Sequence, residues 1–109
     1  MKSAYRFDIY LPLKYNDGTD IEPEKFQETR RELVDKFGGL TWIGNIGRPA
    51  ILGFWREEEK IFQDENDLFV IYTEREEVYK EYFRQYKEVL KQRFKQREIF
   101  IAVEEVTIL

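Results

Sequence analysis

Hydrophobic and polar residues alternate along residues 4–13, and this period of two is typical of a β-strand with one buried face. The hydrophobic side of the predicted strand consists of Tyr5, Phe7, Ile9 and Leu11. Pro12 has no backbone N–H to give to a sheet, so we expect the strand to end near it.

Hydrophobic residues recur every three or four positions in two later segments, which is the spacing of amphipathic helices. The first helix is predicted to begin after Asp20, with Pro23 in its first turn, and to end at Gly38 and Gly39. The second is predicted over residues 75–96, because acidic residues precede it and basic residues end it, as the helix dipole favours. Its apolar stripe is Val78, Tyr79, Tyr82, Phe83, Tyr86, Val89, Leu90 and Phe94.

The segment between the two helices begins with extended structure. Residues 40–46 are predicted to form a short strand or an ordered loop. Residues 50–57 are predicted to form a strand, in which Gly53 could mark a bulge. The run from Glu57 to Lys60 is typical of a hairpin loop, although it contains no glycine.

A return strand is predicted to begin at Ile61 and Phe62, after which the polar run 64–67 predicts a second turn. Residues 68–74 form the most continuous apolar run, as a central strand would. Residues 98–108 predict a final strand.

The resulting order is β-α-β-β-α-β in a single domain over residues 1–109. This order predicts an α+β, ferredoxin-like fold, with a four-stranded antiparallel sheet and two helices on one face. The other face of the sheet would be open, so we expect ligand binding or oligomerisation there.

Charge and composition narrow the classes of function. Charged residues make up 37% of the chain with a net charge of −4, which predicts a soluble protein and argues against nucleic acid as a partner. The basic residues at the end of the second helix could still face RNA, although they also suit the helix dipole. No apolar run is long enough for a membrane span, and the first residues lack a signal-peptide pattern. We therefore expect a cytoplasmic protein without membrane contact.

Few side chains of this sequence are of the types that most often act in catalysis. There is no histidine and no cysteine, so the commonest general base, metal ligand and thiol nucleophile are missing. Ser3 is the one serine and lies near the N-terminus. We predict no catalytic residues, no cofactor and no metal site. Asp8 is the weak metal or acid–base candidate, but a salt bridge or solvation on its strand is the favoured interpretation.

The segment from Phe37 to Glu57 contains five of the six glycines and both tryptophans. Tryptophan and arginine are enriched where proteins bind partners. The candidate binding residues are therefore Trp42, Asn45, Arg48, Trp55 and Arg56. Three interpretations remain open for this segment: a core or dimer-core role, which is favoured, a protein interface, or a pocket for a small ligand.

Several motifs resemble those of a family of short, uncharacterised bacterial α+β proteins, some of which carry lipoprotein signals. The matching stretches are Asp17-Gly18, Phe37-Gly38-Gly39-Leu40-Thr41, Gly53-Phe54-Trp55-Arg56, Tyr86 and the run from Arg93 to Ile99. The resemblance implies the fold and no activity. This chain differs from the family in lacking an export signal.

The missing catalytic groups and the aromatic, glycine-rich segment favour a non-catalytic binding or interaction module. We expect it to self-associate as a homodimer, with another protein as a further candidate partner. The alternative is a small enzyme of the dimeric-barrel type, or a ligand-binding protein, with a pocket between sheet and helices.

Overall fold

The computed structural model describes residues 1–44 and 51–109, and these form two helices and five strands. In chain order they are β1 (Lys2–Pro12), α1 (Pro23–Phe37), β2 (Thr41–Ile43), β3 (Ile51–Glu57), β4 (Lys60–Glu74), α2 (Glu77–Arg93) and β5 (Phe100–Ile108). No helix in the described ranges is long and apolar enough to cross a membrane.

All strand pairs are antiparallel. One edge of β4 pairs with β1, which pairs in turn with β5. The other edge of β4 pairs with β3 along residues 60–66 and with β2 along residues 68–70. The α+β class with two helices and an antiparallel sheet is confirmed, but the chain has one strand more than the predicted order, because one outer position of the five-stranded sheet is shared by β2 and β3.

The polar turn predicted at residues 64–67 is wrong, because β4 runs without interruption from Lys60 to Glu74. Two of the acids in the run accept hydrogen bonds from tryptophan side chains: Asp64 from Trp55 and Asp67 from Trp42. The bulge considered at Gly53 is also absent, since the register of β3 on β4 is continuous there. The polar run is therefore a strand whose carboxylates are used across the sheet.

Both helices lie against the same face of the sheet, as expected. Pro23 stands in the first turn of α1, and Gly38 ends the helix in the left-handed conformation at φ 86°. Phe7 of β1 stacks on Phe83 of α2. The core between the helices and the sheet consists of Tyr5, Phe7, Ile9, Leu11, Ile21, Phe26, Leu33, Phe69, Ile71, Phe83, Tyr86, Leu90, Phe94 and Ile99.

A two-stranded hairpin extends from this body, and we call residues 51–66 the arm. The pairing of β1 with β4 ends where Pro12 lies opposite Asn66. Before that residue, the strand that pairs with β4 is β3. Glu57 and Lys60 form the last pair, and Glu58 in the connecting turn has a φ of 57°. The hairpin loop predicted at these residues is thus present.

Candidate interaction surface

The arm carries apolar side chains on both of its faces. Cross-strand pairing places Leu52, Phe54 and Ile61 on the side of the helices, and Trp55 and Phe62 on the opposite side. Their exposed fractions are 50%, 64% and 72% for Leu52, Phe54 and Ile61, and 44% and 39% for Trp55 and Phe62. Soluble monomers rarely expose a contiguous apolar patch of this kind, and such patches mark interaction sites.

Trp55 is held in one orientation by its neighbours on the arm. Its ring stacks on Phe62, with 4.5 Å between centroids and 17° between planes. Its Nε1 donates a hydrogen bond to Asp64 Oδ2 at 2.8 Å. The aromatic surface on this side of the arm is therefore ordered before any partner arrives, which lowers the entropy lost on binding.

Trp42 has a different role, because it packs into the domain. Its ring lies parallel to Phe26 at 6.2 Å and meets the edge of Phe69 at 5.1 Å. Its Nε1 donates to Asp67 Oδ2 at 2.9 Å. Trp42 therefore fixes β2 against α1 and β4, which fits the packing role favoured from the sequence.

The structure does not bring the two tryptophans together. Trp42 pairs with Phe69 and Trp55 with Phe62, seven positions apart on β4. At about 3.3 Å per residue this separates them by roughly 23 Å, on opposite faces of the sheet. Arg56 lies on the face of the arm away from Trp55. Asn45 and Arg48 lie outside the described residues.

Asp67 is a buried carboxylate in a run for which the sequence predicts a turn. It is 4% exposed, and burial raises its pKa while the Trp42 hydrogen bond opposes that shift. Its Oδ1 has no hydrogen-bond partner within residues 1–44 and 51–109. A Cβ on Gly44 would stand 2.3 Å from the carboxylate, so only glycine lets the chain pass this close.

The open face of the sheet holds Asp8, as the alternation predicted. Arg6 Nε donates to Asp8 Oδ1 at 2.8 Å, and this contact raises the pKa of Arg6. The favoured interpretation of Asp8 as a salt-bridged residue fits this geometry. Residues 1–44 and 51–109 contain no group of three or more acidic side chains placed to hold a metal ion.

Most of the basic residues near the end of α2 contact other parts of the chain. Arg93 reaches α1, where Nη2 donates to both carboxylate oxygens of Glu32 at 2.9 Å and Nη1 donates to Thr29 Oγ1 at 2.9 Å. Lys87 pairs with Glu98, and Lys95 stands over the Tyr15 ring. These contacts within the chain account for the basic residues without an interaction with RNA.

Sequence reasoning missed the apolar residues that make the arm two-sided, namely Leu52, Phe54, Ile61 and Phe62. The sequence does contain a signal for this arm, because apolar residues stand both before and after the polar run 57–60. It is easily overlooked, because each half by itself resembles an ordinary strand with one face in the core.

No family model and no curated protein matches the chain. Among solved structures, the divalent cation tolerance protein CutA1 of Thermus thermophilus is similar, with 14% identity, a TM-score of 0.62 and coverage of 96% of this chain and 85% of that one. CutA1 of Oryza sativa has 12% identity, a TM-score of 0.62 and coverage of 98% and 83%. A phage SAM lyase in complex with S-methyl-5′-thioadenosine has 11% identity, a TM-score of 0.62 and coverage of 99% and 92%.

At these identities the likeness concerns the fold alone, and it agrees with the ferredoxin-like order of the strands and helices. It does not bear on the resemblance of the FGGLT and GFWR motifs, which stays a prediction. The chain is thus similar to small ferredoxin-like proteins, and its own surface must supply the functional argument.

Proposed function

We propose that this protein is a non-catalytic interaction module that self-associates as a homodimer through its arm. The observation that carries the proposal is the presence of exposed apolar side chains on both faces of the arm. A two-stranded hairpin is at best marginally stable in water by itself. Apolar residues on both faces are typical of strands that are covered on both sides.

The energy available from covering the arm is large enough for association. Full burial of one large apolar side chain contributes about 1.5–3 kcal/mol, and the five arm side chains are each about half exposed. One arm therefore offers on the order of 5 kcal/mol, and a symmetric dimer uses two. This is comparable to the ~4–15 kcal/mol lost when two molecules associate, so we expect a reversible dimer.

The chemistry of the described residues supports a binding role over a catalytic one. Arg93 joins α2 to α1, Asp8 pairs with Arg6 on its own strand, and neither residue lines the two cavities found in the described chain. Two cavities in the described chain measure about 180 and 300 Å³. Pockets for drug-sized ligands span roughly 300–1,000 Å³.

The structural neighbours named for divalent cation tolerance suggest cation binding as a further property, but the described residues give it no support. No group of three or more candidate ligands occurs in residues 1–44 and 51–109. A cation is therefore not part of the proposal.

The test replaces Phe54 and Ile61 together by serine, which removes the two most exposed apolar side chains of the arm. Val78→Ser is the matched control, because Val78 is 61% exposed on α2, away from the arm. Sedimentation velocity at about 1–100 μM should show a dimer for the unmodified chain and the control, and a monomer for the double variant. Circular dichroism should show equal helix content for all three.

Two results would contradict the proposal. One is a monomeric unmodified chain across this concentration range. The other is a double variant that dimerises as tightly as the unmodified chain.

The alternative function is a small enzyme or ligand-binding protein. It is favoured by one feature, the 300 Å³ cavity at the end of the sheet, whose wall includes Lys36, Phe37, Tyr72 and Tyr79. Aromatic rings beside an ammonium group suit a nucleoside-like ligand, and one structural neighbour was solved with S-methyl-5′-thioadenosine. Isothermal titration with that compound tests the alternative. Saturable heat that Tyr79→Ala abolishes would support it, and no heat at about 1 mM would exclude this ligand.

A further inference from the structure

A groove lies between α2 and the outer strand β5, on the helix side of the sheet. Its floor is apolar and is formed by Phe7, Phe83, Ile101 and Val103. Its rim is basic and is formed by Lys80, Arg84 and Lys87 of α2. Its volume is about 180 Å³.

The groove exists because α2 does not fully cover β5. Val103 faces the helix layer opposite Phe7, yet it is 43% exposed. Layered domains normally cover this side of a strand with another element. Since the volume is below the ~300 Å³ of small-ligand pockets, the groove suits one or two inserted protein side chains better than a metabolite.

The charges of the groove and the arm are opposite. Residues 51–66 carry five acidic and two basic side chains, with three consecutive acids, Glu57 to Glu59, at the tip. Each rim cation has an acidic neighbour: Lys80 has Glu77, Arg84 has Glu81 and Lys87 has Glu98. These carboxylates are all more than half exposed, and exposed pairs contribute little, so the cations can exchange partners readily.

We propose that the arm of one copy docks into the groove of a second copy. This inference rests on the proposed self-association and names the surface that receives the arm. Phe54 and Ile61 share the helix-side face of the arm and supply the apolar contact with the floor. The acids of the connecting turn, Glu58 and Glu59, then face Lys80 and Lys87 on the rim.

The dimensions of the arm allow this contact. The arm holds seven cross-strand residue pairs, so at about 3.3 Å per residue it reaches roughly 23 Å along its strands. In a two-fold dimer each copy gives one arm and receives another, which makes the two contacts identical. The complementary charges then set the register of the contact and disfavour an arm-to-arm arrangement, where acids would meet acids.

Reciprocal charge reversal tests the proposal. The tip variant carries Glu58→Lys and Glu59→Lys, the two acids of the connecting turn, and the groove variant carries Lys80→Glu and Lys87→Glu. Each variant alone should associate at least about tenfold more weakly than the unmodified chain, because like charges now meet at both contacts. An equimolar mixture should recover the unmodified affinity, because each arm then finds a groove of opposite charge.

Lys91→Glu is the control, since Lys91 lies on the same helix and also pairs with an acid, Glu88, but lines no part of the groove. It should associate as the unmodified chain does. Native mass spectrometry of a mixture in which one variant is labelled with ¹⁵N counts homodimers and heterodimers directly.

A second measurement needs no substitution. Zero-length carbodiimide cross-linking of mixed ¹⁴N and ¹⁵N unmodified chains should join the tip acids of one copy to Lys80 or Lys87 of the other. A monomeric unmodified chain would overturn both proposals. A dimer whose variants are not restored by mixing, or whose cross-links avoid these residues, would overturn the arm-to-groove contact alone.

Discussion

Arg93 lies at the end of α2 and joins the two helices, which makes it the most informative single substitution for the stability of the domain. Its side chain is 11% exposed and donates two hydrogen bonds to Glu32 and one to Thr29. Tyr86 donates its hydroxyl proton to the same Glu32 at 2.7 Å. Arg93→Met keeps an apolar side chain of similar length and removes the positive charge and the hydrogen-bond donors.

The expected loss follows from the burial of the pair. Exposed ion pairs contribute about 0–1 kcal/mol, whereas removing one partner of a fully buried pair costs about 3–5 kcal/mol. Arg93 is nearly buried, but the Glu32 side chain is 40% exposed, so water can hydrate the carboxylate that remains. Glu32 also keeps the Tyr86 hydrogen bond. We expect a loss of about 1.5–3 kcal/mol in the free energy of unfolding, as for hydrogen bonds to charged groups.

Urea denaturation followed by circular dichroism measures this loss, at one fixed protein concentration because dimerisation would add to the apparent stability. Arg84→Met is the matched control, since Arg84 is 67% exposed and pairs with Glu81 one turn away on the same helix. It should lose less than about 0.5 kcal/mol. A double-mutant cycle of Arg93→Met with Glu32→Gln should give a coupling of about 1–2 kcal/mol.

The interpretation of Arg93 as a clamp between helices would be refuted by either of two results. The first is a loss no larger than that of the Arg84 control. The second is a coupling with Glu32 that cannot be distinguished from zero.

Two predictions concern Asp67 and its neighbour. Gly44→Ala should destabilise the domain by about 1–3 kcal/mol, because the added Cβ would stand 2.3 Å from the Asp67 carboxylate. Gly39→Ala is the control and should lower the urea midpoint much less, because nothing lies within 4 Å of its added Cβ. Equal urea midpoints for the two variants would contradict the close packing of Gly44 against Asp67. Asp67→Asn should be more stable than the unmodified chain at pH 7, and the difference should shrink towards pH 4. Burial raises the pKa of Asp67, so its contribution to stability is fully present below its unfolded pKa of about 3.9 and is lost as the pH rises through the folded pKa. Urea midpoints from pH 4 to 8 check this, and a difference that is constant with pH would argue against a buried titrating carboxylate.

The helices and the first and last strands of the chain were predictable because each depends on local signals. Pro23 and Gly38 bound α1 through backbone conformation, and the apolar stripe of α2 depends only on spacing within one segment. β1 was recognisable because apolar residues alternate with other residues along it, and Tyr5, Phe7, Ile9 and Leu11 are buried in the core. These signals need no knowledge of the neighbouring elements.

The errors arose where a residue's environment depends on a distant strand. The acids of residues 64–67 carry a local turn signal, and the tryptophans that donate to them lie 9 and 25 positions away. β2 and β3 likewise share one edge of the sheet because both pair with β4. A local sequence pattern does not predict such pairing. The candidate site was only partly predicted for the same reason. Trp42 and Trp55 lie in the same glycine-rich segment, but Trp42 packs into the domain and Trp55 is exposed on the arm.

Folding and the proposed association would use separate sets of apolar residues in this protein, and this separation makes the functional proposal testable. The core cluster consists of side chains from β1, β4, the two helices and the segments that flank the helices, and no residue of the arm belongs to it. The Arg93 clamp acts between α1 and α2, again without the arm. Substitutions at Phe54 or Ile61 should therefore leave the free energy of unfolding of the monomer unchanged, because they remove no core contact. Selection for folding alone gives no reason to retain large apolar residues on both sides of an exposed hairpin, whereas contact with another molecule does.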